Sequence, residues 1–210
     1  MAVRKVVTRR SRNVRGYMPS FKLGCAVPWE SQNELRLLRL LELSGAVSTY
    51  DVQPSVETIE VGGEPQIYFP DVQVRYTNGR VVTLEVKPVA RLRTPKVAAR
   101  MQAFEGQCKE QGREFFVITD EQLSVEPRSQ NAEELMYHRR PMERALRHDI
   151  MNKIDSVTPS TVGELRELIG IQLAALALGL GLVGVNLDEV ISCESILQPN
   201  GGHYYADLHS

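Results

Sequence analysis

Cysteine is scarce in this 210-residue chain: Cys25, Cys108 and Cys193 lie far apart and form no Cys-x-x-Cys pair. That spacing offers neither a disulfide framework nor a thiolate zinc site, and it suits a reducing cytoplasm. Long apolar runs are lacking too. The most apolar stretch, I-Q-L-A-A-L-A-L-G-L-G-L-V-G-V, is interrupted by glycines and is too short for a membrane span. The opening M-A-V-R-K-V-V-T-R-R-S-R has no apolar core and does not read as a secretory signal. His138, His148, His203 and His209 stand in no metal-ligand spacing. A P-loop, a G-x-G-x-x-G turn and a G-x-S-x-G elbow are all missing, so nucleotide-driven and serine-hydrolase chemistry find no support. The expectation is a soluble cytoplasmic protein.

Net charge is almost absent at -1, but its distribution is uneven. Arg4, Lys5, Arg9, Arg10, Arg12, Arg15 and Lys22 all precede the first acidic residue, Glu30. Such an arm can neutralise phosphates and gain affinity by counterion release. It equally fits a solvated tail.

What is present is a clear succession of elements. P-W-E-S-Q-N-E-L-R-L-L-R-L-L-E-L-S-G reads as a helix with Leu35, Leu38, Leu41 and Leu43 on its apolar stripe and Gly45 at its stop. V-S-T-Y-D-V-Q-P and V-E-T-I-E-V read as strands, the second closed by Gly62-Gly63. Two longer strands, 67–76 and 80–87, flank the Asn78-Gly79 hairpin signal. T-P-K-V-A-A-R-M-Q-A-F-E-G-Q-C-K-E-Q-G predicts a helix capped at Thr94, and E-F-F-V-I-T-D a buried strand. Beyond Asp120 come capping-box patterns at Asn131/Glu134 and Thr161/Glu164, then two short β-like runs. Three helices followed by a small hairpin is the order of a winged-helix module. The final G-G-H-Y-Y-A-D-L-H-S reads as a frayed tail.

The hairpin carries the chemistry. Glu85 and Lys87 are two apart on one strand and share a face. Alone, such a pair is usually a solvated strand face. Register across Asn78-Gly79 puts Asp71 on the partner strand opposite Val86, between Glu85 and Lys87, and Pro70 loosens the pairing beside it. Two converging carboxylates suit a hard cation, Mg²⁺ or Mn²⁺, and a lysine beside them can hold an attacking water or stabilise charge on phosphate.

P-D, a hairpin and E-x-K together resemble the PD-(D/E)xK nuclease superfamily. W-E-S-Q-N-E, Y-D-V-Q-P, Y-F-P-D-V-Q-V, L-E-V-K-P and F-F-V-I-T-D sharpen this to a resemblance to TnsA-type transposon endonuclease subunits, from Pro28 to Tyr137. The resemblance implies an α/β, restriction-endonuclease-like mixed sheet flanked by helices, followed by a small helical, winged-helix-like domain. The expected organisation is a basic arm over 1–27, a nuclease domain over 28–138 and the C-terminal domain over 139–210. The implied reaction is Mg²⁺-dependent phosphodiester hydrolysis at the 5′ ends of a transposon, with Asp71, Glu85 and Glu34 holding metal and Lys87 assisting. By helical spacing Glu30 rivals Glu34; the family match selects Glu34, and Gln53 matches the family as well. The implied partners are double-stranded DNA at transposon ends, a DDE-type (TnsB-like) transposase subunit and an ATPase (TnsC-like) regulator. The alternatives are a stand-alone restriction or repair nuclease and a non-catalytic DNA-binding assembly subunit with a vestigial nuclease fold.

Overall fold

Paired strands begin earlier than the sequence suggests. The computed structural model describes residues 14–198 and 201–208. Most of the basic arm, from Arg4 to Arg12, therefore lies outside the described residues. The rest of the arm is largely strand: β1 (Gly16–Ser20) and β2 (Cys25–Trp29) form an antiparallel hairpin. The chain divides into two compact units, the described parts of Met1–Glu42, Val47–Ser124 and Asp207–Ser210 in one, and Leu43–Ala46 with Val125–Ala206 in the other. No described helix is long and apolar enough to cross a membrane.

In the first unit α1 (Gln32–Leu43), all but its last residue, follows the hairpin. Leu37, Leu38, Leu40 and Leu41 are all buried, a broader face than the expected stripe, and each burial contributes roughly 2 kcal/mol. Next come β3 (Val47–Val52), β4 (Glu57–Val61), β5 (Glu64–Tyr68), β6 (Val72–Tyr76) and β7 (Val81–Val86). α2 (Val89–Leu92) and α3 (Pro95–Glu110) lead to β8 (Glu114–Ile118) and α4 (Asp120–Leu123). The main sheet has the order β3-β6-β7-β8, antiparallel except for the parallel β7–β8 pair. That parallel step requires a crossover, which α2 and α3 supply. Phe104 and Met101 of α3 close a core on Ile59 and Tyr68, with the Tyr68 and Phe104 rings 4.4 Å apart.

The single strand expected over 67–76 is two strands. Pro70 has no N–H to give to a ladder, so pairing breaks there. β5 pairs with β4 instead, and β6 starts at Val72. The hairpin register also differs by one residue. Tyr76 donates its N–H to Arg80 O at 2.9 Å and Gly79 donates to Tyr76 O at 3.0 Å, so the loop is Thr77-Asn78-Gly79 with Gly79 at φ +87. A three-residue loop with glycine in the left-handed region is the next commonest hairpin connection after the two-residue turn. Val72 thus faces Leu84, and Asp71 comes level with Glu85 rather than with Val86.

The second unit holds α5 (Arg128–Tyr137), α6 (Arg144–Val157), α7 (Val162–Ile169) and α8 (Ile171–Gly179). α5 begins three residues before the expected cap, with Asn131 inside it and buried. The Asn131 amide donates to Leu187 O at 2.9 Å and Glu189 O at 2.7 Å, which satisfies a group that would otherwise be costly to bury. At Thr161 the cap is present: its hydroxyl accepts from Glu164 N. Among the described residues the two β-like runs form isolated bridges, Thr161 to Ile196 and Gly184 to Gln198, and no continuous wing hairpin. Nor is 201–206 frayed. His203 is buried, accepts from Val185 N through Nδ1 at 3.2 Å and donates from Nε2 to Leu178 O at 2.9 Å.

Candidate active site

The site grows from the break at Pro70. Asp71, just outside β6, is held by three bonds: its N–H donates to Glu85 Oε2 at 3.2 Å, its carbonyl accepts from Gln53 N at 2.8 Å, and its Oδ2 accepts from Val86 N at 2.8 Å. Gln53 pays for this position with a left-handed φ of +47, a strained geometry for a residue with a Cβ. Its place at the end of β3, beside Asp71, is the strand-terminating role that its position before Pro54 suggests.

Glu85 lies on β7, which is buried along nearly its whole length, so its face is interior and not solvated. Lys87 follows the strand end. Its backbone N–H donates to Ile118 O at 3.0 Å, while Val89 N donates to Asp120 Oδ1 at 2.8 Å. β8 and its Thr119–Gln122 capping box therefore fix where the lysine starts. Lys87 Nζ lies 3.5 Å from Asp71 Oδ2 and forms a close ion pair with Glu85 Oε1.

Glu34 arrives from the first turn of α1. Ser31 caps that helix, its hydroxyl accepting from Glu34 N at 3.1 Å, and the Glu34 carboxylate accepts from Glu30 N at 2.8 Å and Ser31 Oγ at 3.1 Å. This is an S-x-x-E cap, a pattern legible in the sequence though not exploited in reading it. Glu30 also faces the site, with Arg15 3.6 Å away as its ion-pair partner. Glu30, Glu34, Tyr68, Asp71, Glu85, Lys87 and Arg100 line one pocket of about 280 Å³.

Electrostatics distinguish this pocket from an ordinary salt-bridge cluster. Burial and then the charge of Asp71 push Glu85 up to about 7, against the opposing pull of Lys87. Burial also raises Asp71, again against Lys87. Glu34 is pushed up to about 6, by burial first and by Asp71 second. Burial opposes charge on Lys87, but the two carboxylates outweigh it and raise its pKa. The buried Tyr68 hydroxyl stands close enough to Glu85 to favour its charged form, yet makes no well-formed hydrogen bond.

Four carboxylates, Glu30, Glu34, Asp71 and Glu85, facing Lys87 and Arg100 leave the pocket short of positive charge. Among the described residues no three His, Cys, Asp or Glu side chains are drawn together as a closed metal cage would need. An open site needs less: Mg²⁺ is held by one or two carboxylates and keeps its waters. Asp71 and Glu85 fit that demand. Their oxygens are hard donors, they are adjacent, and their raised pKa values mark a deficit that a divalent cation relieves.

A four-stranded mixed sheet flanked by helices, with the proline-aspartate break facing the E-x-K strand, defines a restriction-endonuclease-like fold. The family model described as "TnsA-like endonuclease N terminal" matches residues 44–120, so this stretch is similar to the N-terminal domain of TnsA-like endonucleases. Asp71, Glu85 and Lys87 lie inside the match; Glu34 and the second unit lie outside it. No curated protein matches the chain.

Proposed function

We propose that the chain is a Mg²⁺-dependent DNA endonuclease, the subunit of a heteromeric cut-and-paste transposase that cleaves at the 5′ ends of the element. The observation that carries this reading is the convergence of Asp71, Glu85 and Lys87 at a break in the sheet, within the TnsA-like segment. Asp71 and Glu85 would hold the metal (Mg²⁺, or Mn²⁺ in its place), and Glu34, which lines the same pocket from α1, would reach it through a metal-bound water or by a change of rotamer. The bound ion supplies Lewis-acid chemistry for phosphodiester hydrolysis. Lys87, kept protonated by two carboxylates, donates toward the attacking water or toward charge developing on the phosphate. The Gln53 N–H holds the Asp71 carbonyl at 2.8 Å, which fixes where this carboxylate starts.

The partners in this reading are transposon-end DNA, a DDE-type transposase subunit that processes the 3′ ends, and an ATPase regulator. The purified chain, mixed with its transposase subunit, element-end DNA and Mg²⁺, should cut at the 5′ ends, and Asp71→Ala should abolish those cuts while leaving the fold intact. Cutting that persists in Asp71→Ala contradicts the site assignment. Wild-type cutting without partners favours a stand-alone restriction or repair nuclease. Assembly with the partners but no cutting favours the non-catalytic subunit.

A further inference from the structure

Arg100, on α3, faces the same pocket as the carboxylates, and no role follows for it from the E-x-K pattern or the family match. Its guanidinium stands 5.6 Å from the Tyr68 ring centre and donates from Nη2 to Ile67 O at 3.1 Å. Nε is buried and has no hydrogen-bond partner, and among the described residues Arg100 makes no ion pair. The other cations at the pocket are committed: Lys87 to Asp71 and Glu85, and Arg15 to Glu30. An arginine beside carboxylates that passes them over is set for an anion arriving from outside.

The geometry points to Arg100 as a phosphate-contacting residue, the outer edge of its guanidinium taking a non-bridging oxygen of the DNA strand that enters the carboxylate pocket. This rests on the nuclease reading above and deepens it. A phosphodiester approaching Glu34, Asp71 and Glu85 meets repulsion that Lys87, already shared between two carboxylates, does not fully offset. The planar guanidinium fork matches phosphate geometry, and its stacking on Tyr68 keeps it ordered before the strand arrives. The contact is to backbone, so it carries no sequence preference of its own.

The test is DNA binding by the full chain, measured by fluorescence anisotropy with a short labelled duplex and Ca²⁺ as the divalent cation, over a series of salt concentrations. Arg100→Ala should weaken binding several-fold and lower the slope of log K against log salt by about 0.9, the loss of one phosphate contact. Arg100→Lys keeps the charge and should restore most of the slope. Thermal unfolding of each variant reports its fold. Wild-type binding with an unchanged slope in Arg100→Ala overturns this inference and leaves the nuclease reading standing. Loss of affinity in both variants with an unchanged slope also overturns it, because it assigns Arg100 to structure alone. A wild-type chain that binds no duplex, alone or together with its transposase subunit, removes the nuclease reading and this inference with it.

Discussion

Glu42 and Glu85 are both glutamates, in the same compact unit, and each is only 2% exposed. Their surroundings are opposite. Glu42 accepts from Ser20 Oγ at 2.7 Å, Phe21 N at 2.8 Å, Lys22 N at 3.2 Å and Tyr50 Oη at 2.8 Å. Glu85 faces Asp71, a like charge, and shares a single lysine with it. The first environment surrounds a carboxylate with donors, and it ties the β1–β2 turn to α1 and β3. The second crowds negative charge and leaves it partly uncompensated. Crowded carboxylates of this kind suit a site that recruits a cation. Glu57 is a third case: burial would raise its pKa, but hydrogen bonds from Arg113 and Ser55 and the Arg113 charge hold it below the usual carboxylate value.

The contrast can be broken at each of the three glutamates. The largest effect is expected at Glu85. Glu85→Gln should reduce 5′-end cutting by the reconstituted complex roughly a thousandfold, the several kcal/mol that a metal site contributes. Its urea midpoint should stay level or rise, because the change removes one of two crowded charges. Next comes Glu42→Ala, which leaves several donors without their acceptor and should cost about 4 kcal/mol in urea unfolding. A Glu42→Ala protein as stable as wild type would show that the network is incidental.

Glu57→Gln should be the mildest, about 1 kcal/mol, as expected of a partly exposed ion pair screened by solvent. Its pH dependence has a definite sign. A carboxylate whose folded pKa is depressed adds stability that is present above its unfolded pKa, near 4, and that fades as pH falls through the lower folded value. The wild-type advantage over Glu57→Gln should therefore be full at neutral pH and shrink in acid. An advantage that grows in acid would contradict the pairing with Arg113.

Much of the site was legible before the fold. The Asn-Gly signal located the hairpin, strand alternation put Glu85 and Lys87 on one face, and Pro70 marked where pairing fails. What escaped depended on partners remote in sequence. A two-residue and a three-residue loop both accommodate Asn78-Gly79, and only the ladder itself shows that Tyr76 closes on Arg80. Glu42 reads as an ordinary charge on an amphipathic helix, because nothing nearby reveals the backbone donors from Phe21 and Lys22. Asn131 looked like a helix cap since its amide partners, Leu187 and Glu189, are more than fifty residues away. Arg100 sits on a helix of ordinary pattern, and its orphaned Nε appears only in three dimensions.

The central claim is that Asp71 and Glu85 form a cation-binding pair, not a charged ornament on a hairpin. Calorimetric titration of the full chain with Mn²⁺ tests it most directly, comparing wild type, Asp71→Asn and Glu57→Gln. The account predicts saturable binding in wild type and Glu57→Gln and its loss in Asp71→Asn. Equal binding by all three proteins, or none by the wild type, would contradict it.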